Sequence, residues 1–419
     1  MRDREHSLEH TMPNQLWSLK YLLMMLANFL TSMVHSSSLA LLSLYALKIG
    51  GSNSQAGLLT GIYSFSALVF RPVFGQMLDK HSRKTVVILG LSLITLSTVA
   101  YVFTQSISVL LIFRTINGIG FSAGSTAIAT VVADILPMNR LAEGIGYFGL
   151  SNTLAQAIGP LLGLYMIQVY GYPALFIAAV GVSVASMICA LPIKYTRKKE
   201  PKLGSQVGSV PKQKGFGFLE APLIWPSILL LLTVTSNGAV LTFVASYAMS
   251  LEIKEIGMFF TVSSIGTMIA RLIFGRLSKR FNLGSILFVS IILVIISQLI
   301  LGTAAQLWQF LLSAVFFGTG MGCVVPIINT VVIMLASPDR KGTALSVYYC
   351  AMDMAMGLSA VIWGIIAQHF GYPAIYIAAA ICCFTALMIY VFALRKRLSR
   401  LNWKRELRSR PKEESSISA

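Results

Sequence analysis

The residues best suited to chemistry in this 419-residue chain are ionisable side chains set deep within long apolar stretches. Asp353 lies about 18 Å from the inner end of its stretch, at about 1.5 Å per residue, and is the only carboxylate placed well inside any of them. An ionised aspartate at that depth is costly and protonation removes most of the cost, so Asp353 is suited to gain and lose a proton. A static partner for Arg114, or a hydrogen bond tying two helices, is the alternative role.

Arg114 lies about 12 Å below the outer end of another apolar stretch. An arginine cannot shed its charge in a protein, so the guanidinium should face a wet cavity or an acid. Arg71 and Arg271 are also within apolar stretches, about two turns from an end, where long side chains are expected to snorkel toward water.

Neutral polar side chains form stripes on several of the other stretches. His35 lies near the middle of the first, with Asn28 and Thr31 on its face at i−7 and i−4. Such a stripe fits a helix that lines a cavity, where His35 could bind a ligand or titrate; a hydrogen-bonded structural histidine is the alternative. The same reasoning adds further cavity candidates: Asn117, Asn152, Gln156, Asn237, Tyr247 and Asn329.

The stretches that carry these residues are long enough to cross a membrane. Only 11% of the residues are charged, whereas soluble proteins carry about 25%. Most of the stretches reach the roughly 20 residues that a membrane-crossing helix needs. The sequence therefore predicts an all-α membrane protein with twelve spans, at 19–46, 54–78, 84–104, 107–134, 142–169, 172–193, 223–250, 254–277, 284–304, 307–336, 341–369 and 372–394.

The chain repeats itself at an offset of two hundred residues. Arg71 to Gly75 recurs as Arg271 to Gly275, and Gly171-Tyr172-Pro173-Ala174 recurs as Gly371-Tyr372-Pro373-Ala374. A repeat of this length predicts two six-helix bundles in the same orientation. The expected domains are an N-terminal bundle with its tail at 1–193, a cytoplasmic linker at 194–222, a C-terminal bundle at 223–394 and a basic tail at 395–419.

The net charge of +18 is distributed in a way that gives the orientation. With the N-terminus inside, the inner segments hold 28 of the 33 lysines and arginines, which is the positive-inside pattern and predicts cytoplasmic termini. No Asn-X-Ser/Thr glycosylation site occurs in the sequence, which favours a bacterial plasma membrane. The basic residues lie in short loops without a nucleic-acid-binding motif, so no nucleic-acid partner is expected. No metal-ligand spacing, nucleotide-binding motif or nucleophile–base set is visible in the sequence. We therefore expect neither a cofactor nor a metal nor enzymatic activity.

A charged motif, Gly75 to Lys84, follows the second span. Gly75 could let another helix approach closely, and Asp79 with Arg83 could form a clasp at the membrane edge, to which Lys84 adds positive charge. The motif closely resembles the cytoplasmic-loop signature of the major facilitator superfamily, Gly-x-Leu-x-Asp-Arg-x-Gly-Arg-Lys, with Ser82 in place of the second glycine. The resemblance implies a latch that holds the outward-facing state, and a simple topological anchor is the alternative.

Two residues at the inner end of span four, Asp134 and Arg140, extend this resemblance. In the superfamily an acidic residue at this place joins the charged cluster, so the resemblance assigns that role to Asp134. A plain helix-end acid in water is the alternative.

Two more segments are similar to motifs of the same superfamily. Arg114 begins Arg-x3-Gly-x-Gly, which in proton-coupled members is linked to proton transfer; an interhelical tie is the alternative. In span five four of six positions match the antiporter signature Gly-x8-Gly-x3-Gly-Pro-x2-Gly-Gly: Gly146, Gly159, Pro160 and Gly163. The proline should kink that helix and the glycines should admit a close neighbour.

The resemblance covers nearly the whole chain and implies a secondary transporter like the drug:proton antiporter branch. Such a protein would export small amphipathic molecules by alternating access, with Asp353 and Arg114 in proton coupling and the substrate between the two halves. Its expected partners are a small-molecule substrate, protons and the bilayer, and it is expected to be a monomer. A symporter or facilitator for uptake of a small metabolite or sugar, and a non-transporting receptor, are the alternatives. Many drug antiporters have an acidic residue in span one, and this chain has none. The resemblance therefore does not extend to a preference for cationic drugs.

Overall fold

A computed structural model describes residues 17–80, 82–137, 140–192, 221–335 and 341–395. The regular secondary structure within these ranges is helical. The predicted linker lies outside the described residues up to residue 220, and the predicted basic tail lies outside them beyond Arg395.

Long apolar helices account for most of the described chain. The first half contains α1 Leu19–Lys48, α2 Asn53–Lys80, α3 Arg83–Phe103, α4 Ile107–Ile135 and α5 Leu141–Ala190. The second half contains α6 Ala221–Ser250, α7 Gly257–Arg280, α8 Leu283–Gly302, α9 Leu307–Leu335, α10 Lys341–Phe370 and α11 Tyr372–Ile389, the last extended by a π-helical turn, Tyr390–Leu394. Eleven helices of the described residues are long and apolar enough to cross a membrane, which confirms the predicted all-α membrane fold.

Helix α5 corresponds to two predicted spans. Its 50 residues would extend about 75 Å if straight, against about 30 Å of hydrocarbon. The helix is broken at Gly171, whose φ of 80° is one that L side chains rarely adopt. Gly371, at the equivalent place in the second repeat, also has a φ of 80° and separates α10 from α11. The two arms of α5 therefore accommodate predicted spans five and six.

The described residues form two compact units. The first contains the chain up to Ser38 and from Phe65 to the end of α5, and the second contains Leu39–Ser64 together with α6 to α11. The end of α1 and the start of α2 thus group with the second repeat.

In the first unit, α3 packs along α4 and α5. Small residues set this spacing, since a Cβ added to Gly90 would lie 2.3 Å from the backbone nitrogen of Gly124. Gly120 also faces α3, where a Cβ would lie 2.9 Å from the carbonyl oxygen of Gly90. Gly120, the second glycine of the span-four motif, therefore serves helix packing.

In the second unit, α9 packs on α7 and α8, while α6 and α11 pack on one another and on α10 and α8 respectively. The start of α2 is held on α10, because a Cβ on Gly57 would lie 2.2 Å from the carbonyl oxygen of Ala360. Nearby, the Tyr372 hydroxyl donates to Asn53 Oδ1 at 2.9 Å. This contact joins a segment of the first repeat to helices of the second.

Candidate functional site

A hydrogen-bonded polar cluster joins α1 to the first arm of α5. The amide of Asn28 donates to Ser151 Oγ at 3.1 Å and to Asn152 Oδ1 at 2.9 Å. Ser32 Oγ donates to the same Asn152 oxygen at 2.6 Å. Because both bonds use the Asn152 oxygen, this side chain keeps its two amide N–H donors for other groups.

A second polar contact ties α1 to the far arm of α5. The hydroxyls of Thr31 and Ser186 lie 2.7 Å apart, and Ser186 Oγ also lies 2.9 Å from the carbonyl oxygen of Ala27, to which it donates. Thr31 is buried. Thr31 was predicted to line a cavity, but its hydroxyl group instead bonds α1 to α5.

The glycines of the antiporter-like segment differ in their surroundings. A Cβ on Gly159 would lie 2.6 Å from Ser36 Oγ and 2.7 Å from the carbonyl oxygen of Met33, so α5 approaches α1 closely there. Gly163 is buried. Gly146 is exposed and a Cβ there would meet no atom within 4 Å, so the expectation of tight packing at that glycine is wrong.

Pro160 lies inside α5 without a break in backbone torsions at its position. The non-helical torsions within α5 occur at Gly171. The missing N–H of Pro160 still removes one backbone bond.

His35 lies where α1 meets α4. Its ring stacks on Phe121, with the ring centroids 4.2 Å apart and the planes 21° apart. The charges of both Arg114 and Arg71 act on the imidazole. Arg71 is therefore close enough to His35 to interact with it electrostatically. The sequence had predicted only that Arg71 would extend toward water.

Arg114 is 1% exposed and bonds to Asn117 on its own helix, and Asn117 in turn bonds to α3. Its Nη1 donates to Asn117 Oδ1 at 3.3 Å, and Asn117 Nδ2 donates to Ser97 Oγ at 2.7 Å. The Tyr101 side chain lies beside the guanidinium. This arrangement is that of a tie between α4 and α3. The predicted association of Arg114 with Asp353 stays a prediction.

Sequence reasoning missed Ser97 and Tyr101 as the α3 partners of this tie. They are four residues apart, on one face of α3. That spacing was a signal, but it did not show which helix the face would meet.

In the second unit, Asp353 on α10 is half-buried and its Oδ2 atom is fully buried. Asn237 on α6 is also half-buried. Asn329 lies beside Tyr348, whose hydroxyl donates to the carbonyl oxygen of Val325 at 3.0 Å.

Two other predicted cavity residues have surroundings of a different kind. Tyr247 is 4% exposed, donates to the carbonyl oxygen of Ala304 at 2.6 Å, and packs against the rings of Phe310, Tyr372 and Tyr376. This aromatic cluster does not favour a ligand-lining role for Tyr247. Gln156 is exposed on α5.

Charged residues of the loop motif lie at the ends of first-unit helices that the sequence predicts to be cytoplasmic. Arg83 forms an ion pair with Asp134, which joins α3 to α4. Lys84 Nζ donates to the carbonyl oxygen of Leu191, just beyond α5, at 2.5 Å.

The structure gives a different result for each of three further residues that were predicted to form the latch. Arg140 makes a two-pronged pair with Glu143, at 2.9 and 3.1 Å, at the start of α5. The Asp79 side chain lies outside the described residues, so its clasp with Arg83 stays a prediction. A Cβ on Gly75 would meet no atom within 4 Å, so the expected close helix approach at Gly75 is wrong for the described residues.

A comparison with known protein families agrees with the internal repeat and the helical membrane fold. Residues 24–254 and 227–418 match the family model of the Major Facilitator Superfamily, and together they span nearly the whole chain. The chain belongs to the major facilitator superfamily. It is therefore a multi-pass membrane transporter of small molecules and not an enzyme.

Three similar proteins are distant from this chain in sequence. The uncharacterized MFS-type transporter MJ1560 of Methanocaldococcus jannaschii is 26% identical over 81% of this chain and 89% of its own. The Staphylopine export protein of Staphylococcus aureus is 21% identical over 83% of this chain and 89% of its own. The crystal structure of the nucleoside transporter NupG (a mutant form) superposes with a TM-score of 0.77 at 13% identity, covering 89% of this chain and 99% of that one. At that identity the structural match shows the fold alone.

Proposed function

We propose that this transporter exports small amphipathic molecules in exchange for protons, by alternating access, across a bacterial plasma membrane with both termini in the cytoplasm. The observation that carries the proposal is Asp353, the one carboxylate deep within the spans, half-buried on α10. Multidrug efflux is the form of this activity that the antiporter-like segment suggests.

The chemistry of proton coupling follows from where Asp353 lies. An ionised carboxylate in the middle of a span costs at least about 2.5 kcal/mol. The charged form is favoured when water reaches the site and the neutral form when it does not. A transporter that exposes Asp353 to each side in turn would load and release a proton once per cycle.

Export is favoured by two observations on the first unit and its relatives. Gly159, in the antiporter-like segment, is the point where α5 closely approaches α1. In addition, one similar protein carries an export function in its name, the Staphylopine export protein. The Arg83–Asp134 ion pair at the inner helix ends supports a latch that opens and closes during the cycle.

Transport in inverted membrane vesicles with an imposed pH gradient tests this proposal. The panel contains amphipathic acids, neutral molecules and amines, and vesicles without the protein are the control. Because the lumen of such vesicles corresponds to the cell exterior, a proton-coupled exporter should accumulate substrate in an acidic lumen and lose it when a protonophore is added. A proton symporter would instead drive the substrate out of the acidic lumen. Flux that ignores the protonophore would rule out coupling.

A further inference from the structure

A groove lies on the surface of the second unit, between α6, α10 and α11. It has a volume of about 410 Å³ and is lined by residues of all three helices, among them Leu231, Leu358 and Ile381. Leu358 and Ile381 are exposed, and both lie on helices that are long and apolar enough to cross a membrane. The groove therefore opens toward the bilayer.

The polar groups of the lining already have partners within the protein. The indole N–H of Trp363 donates to the carbonyl oxygen of Thr235 at 2.9 Å. The Thr235 hydroxyl donates to the carbonyl oxygen of Leu232 at 2.7 Å, and the Ser359 hydroxyl donates to that of Met356 at 3.2 Å. Among the described residues that line the groove, none is charged. A polar ligand would lose its bonds to water here without gaining others, so the groove favours an apolar ligand.

The equivalent place in the first unit is tied together by polar side chains. There the hydroxyl of Thr31 on α1 lies 2.7 Å from that of Ser186 on the second arm of α5. The residues at the same places in the second repeat are Leu231 on α6 and Ala386 on α11, whose side chains cannot form a hydrogen bond. The second unit therefore has no such tie between these two side chains.

A tryptophan replaces a glycine at the back of the groove. Trp363 stands where the first repeat has Gly163, and its side chain reaches from α10 to Thr235 on α6. The two helices also approach closely beside it, because a Cβ on Gly238 would lie 2.1 Å from Ser359 Oγ. The groove is thus closed behind Trp363 and open on the side of the bilayer.

The lining residues lie away from the ends of their helices. The one nearest to a helix end is Ala378 on α11, six residues after Tyr372, which is about 9 Å at 1.5 Å per residue. Lipid headgroups lie outside the hydrocarbon core, which is about 30 Å thick. The part of a lipid that meets the groove is therefore its acyl chain.

We infer that this groove binds an acyl chain of a membrane lipid, which lies between α6, α10 and α11 and contacts Trp363. The headgroup of the same lipid stays outside the groove. This inference goes beyond the proposed transport function and does not depend on it.

Fluorescence quenching by brominated lipids tests the inference, because bromine on an acyl chain quenches a tryptophan that it contacts. The full-length protein keeps Trp363 and has its other four tryptophans replaced by phenylalanine. It is reconstituted in vesicles of phosphatidylcholine with bromine at the middle of the acyl chains, and in vesicles of the unbrominated lipid. Although Trp363 is only 4% exposed, its fluorescence should fall in the brominated vesicles.

Two control proteins have Trp363 replaced by phenylalanine and one tryptophan placed elsewhere in the second unit. Ile365→Trp, at an exposed position of α10 close to Trp363 in the chain, reports direct contact with lipid. Phe317→Trp replaces a ring that is also 4% exposed but does not line the groove. The fractional loss of fluorescence at Trp363 should approach that of Ile365→Trp and exceed that of Phe317→Trp severalfold.

Filling the groove identifies the site. Ala378→Phe adds a ring inside the groove and should remove most of the quenching of Trp363. Ile365→Phe, outside the groove, should leave the quenching unchanged. The thermal unfolding midpoint reports whether each variant is folded, and Ala378→Leu is the smaller substitution if Ala378→Phe is not.

The outcomes separate the lipid from other occupants. If bromine affected Trp363 as little as it affects Phe317→Trp, the groove would hold no acyl chain, and cross-linking of Cys382 between two chains would then show that a second copy covers it. Quenching that persists in Ala378→Phe would overturn the groove as the site. Since none of these measurements involves transport, failure of the lipid site leaves proton-coupled export standing, and failure of export leaves the lipid site standing.

Discussion

Arg71 and Arg271 occupy the same place in the two repeats, yet their surroundings differ. Arg71 is half-buried in the first unit and its charge acts on His35. Arg271 is exposed, and its charge lies beside Tyr348 and Cys323 in the second unit. Both repeats thus have an arginine at this position, but the side chains around it differ.

Two pairs of equivalent helices also differ in their polar residues. Helix α4 corresponds to α9, and the first arm of α5 corresponds to α10, at the offset of two hundred residues. Arg114, Asn117 and Asn152 of the first repeat correspond to Ala314, Phe317 and Met352 of the second. Asp353 corresponds to Thr153. Arg114, Asn117 and Asn152 thus have no polar counterparts in the second repeat, and Asp353 has no acidic counterpart in the first. We therefore expect the two halves to contribute differently to transport.

The strongest test of this division is Asp353→Asn. The amide keeps the size of the carboxyl group but cannot take up and release a proton, so pH-driven accumulation in vesicles should fall to the level of vesicles without protein. Exchange of labelled for unlabelled substrate without a gradient should persist. The control is Glu255→Gln, which changes an exposed acid in the turn before α7 and should leave accumulation unchanged. Full accumulation in the Asp353→Asn variant would contradict the coupling role.

Arg114→Ala makes the first repeat resemble the second at this position. The substitution removes a buried side chain that bonds to Asn117, and a lost hydrogen bond to a charged group typically costs about 1.5–3 kcal/mol. The measurement is the free energy of unfolding in detergent. Arg140→Ala is the comparison, because its exposed pair with Glu143 should contribute less than about 1 kcal/mol. Equal effects of the two substitutions would show that the bond from Arg114 to Asn117 does not stabilise the contact between α4 and α3.

Gly159→Ala tests the close approach of α5 to α1 in the first unit. The added methyl group would meet the carbonyl oxygen of Met33, a backbone atom that cannot rotate away, so the variant should lose about 1–3 kcal/mol of stability. Gly146→Ala, in the same helix with no atom within 4 Å of the new Cβ, should be neutral or slightly stabilising. Thermal unfolding of the two variants gives the comparison, and a neutral Gly159→Ala would refute the packing role.

The sequence predicted the helical membrane fold because long apolar runs admit few other structures in a bilayer. It also predicted a break between spans five and six, and the structure places that break at Gly171, whose φ of 80° is shared by Gly371 in the same repeated motif. Hydropathy reports burial in the membrane, so it could not show which helices would pack together. The grouping of Leu39–Ser64 with the second repeat depends on tertiary contacts such as that of Gly57 with Ala360.

The candidate site was only partly predictable for the same reason. Asn28, His35 and Asn152 stood out because they are polar in apolar spans, and two of them are joined by a hydrogen bond. Ser97 and Ser186 were missed, because a serine in a membrane helix usually bonds to its own backbone and gives no signal of a partner. Gly75 was misassigned, since a motif glycine can be open to its surroundings as well as packed.

Cysteine labelling beside Asp353 tests most directly whether the deep carboxylate reaches water. Cys350 is half-buried on α10, one turn before Asp353, whereas Cys383 on α11 is 0% exposed and serves as the matched control. Variants that keep only one of these thiols are treated with a membrane-impermeant thiol reagent, in right-side-out and in inverted vesicles, with and without a pH gradient. We predict that Cys350 reacts at a rate that the gradient changes, and that Cys383 does not react. If Cys350 were as inert as Cys383 from both sides under every condition, Asp353 could not exchange protons with either compartment and the account of coupled transport would be wrong.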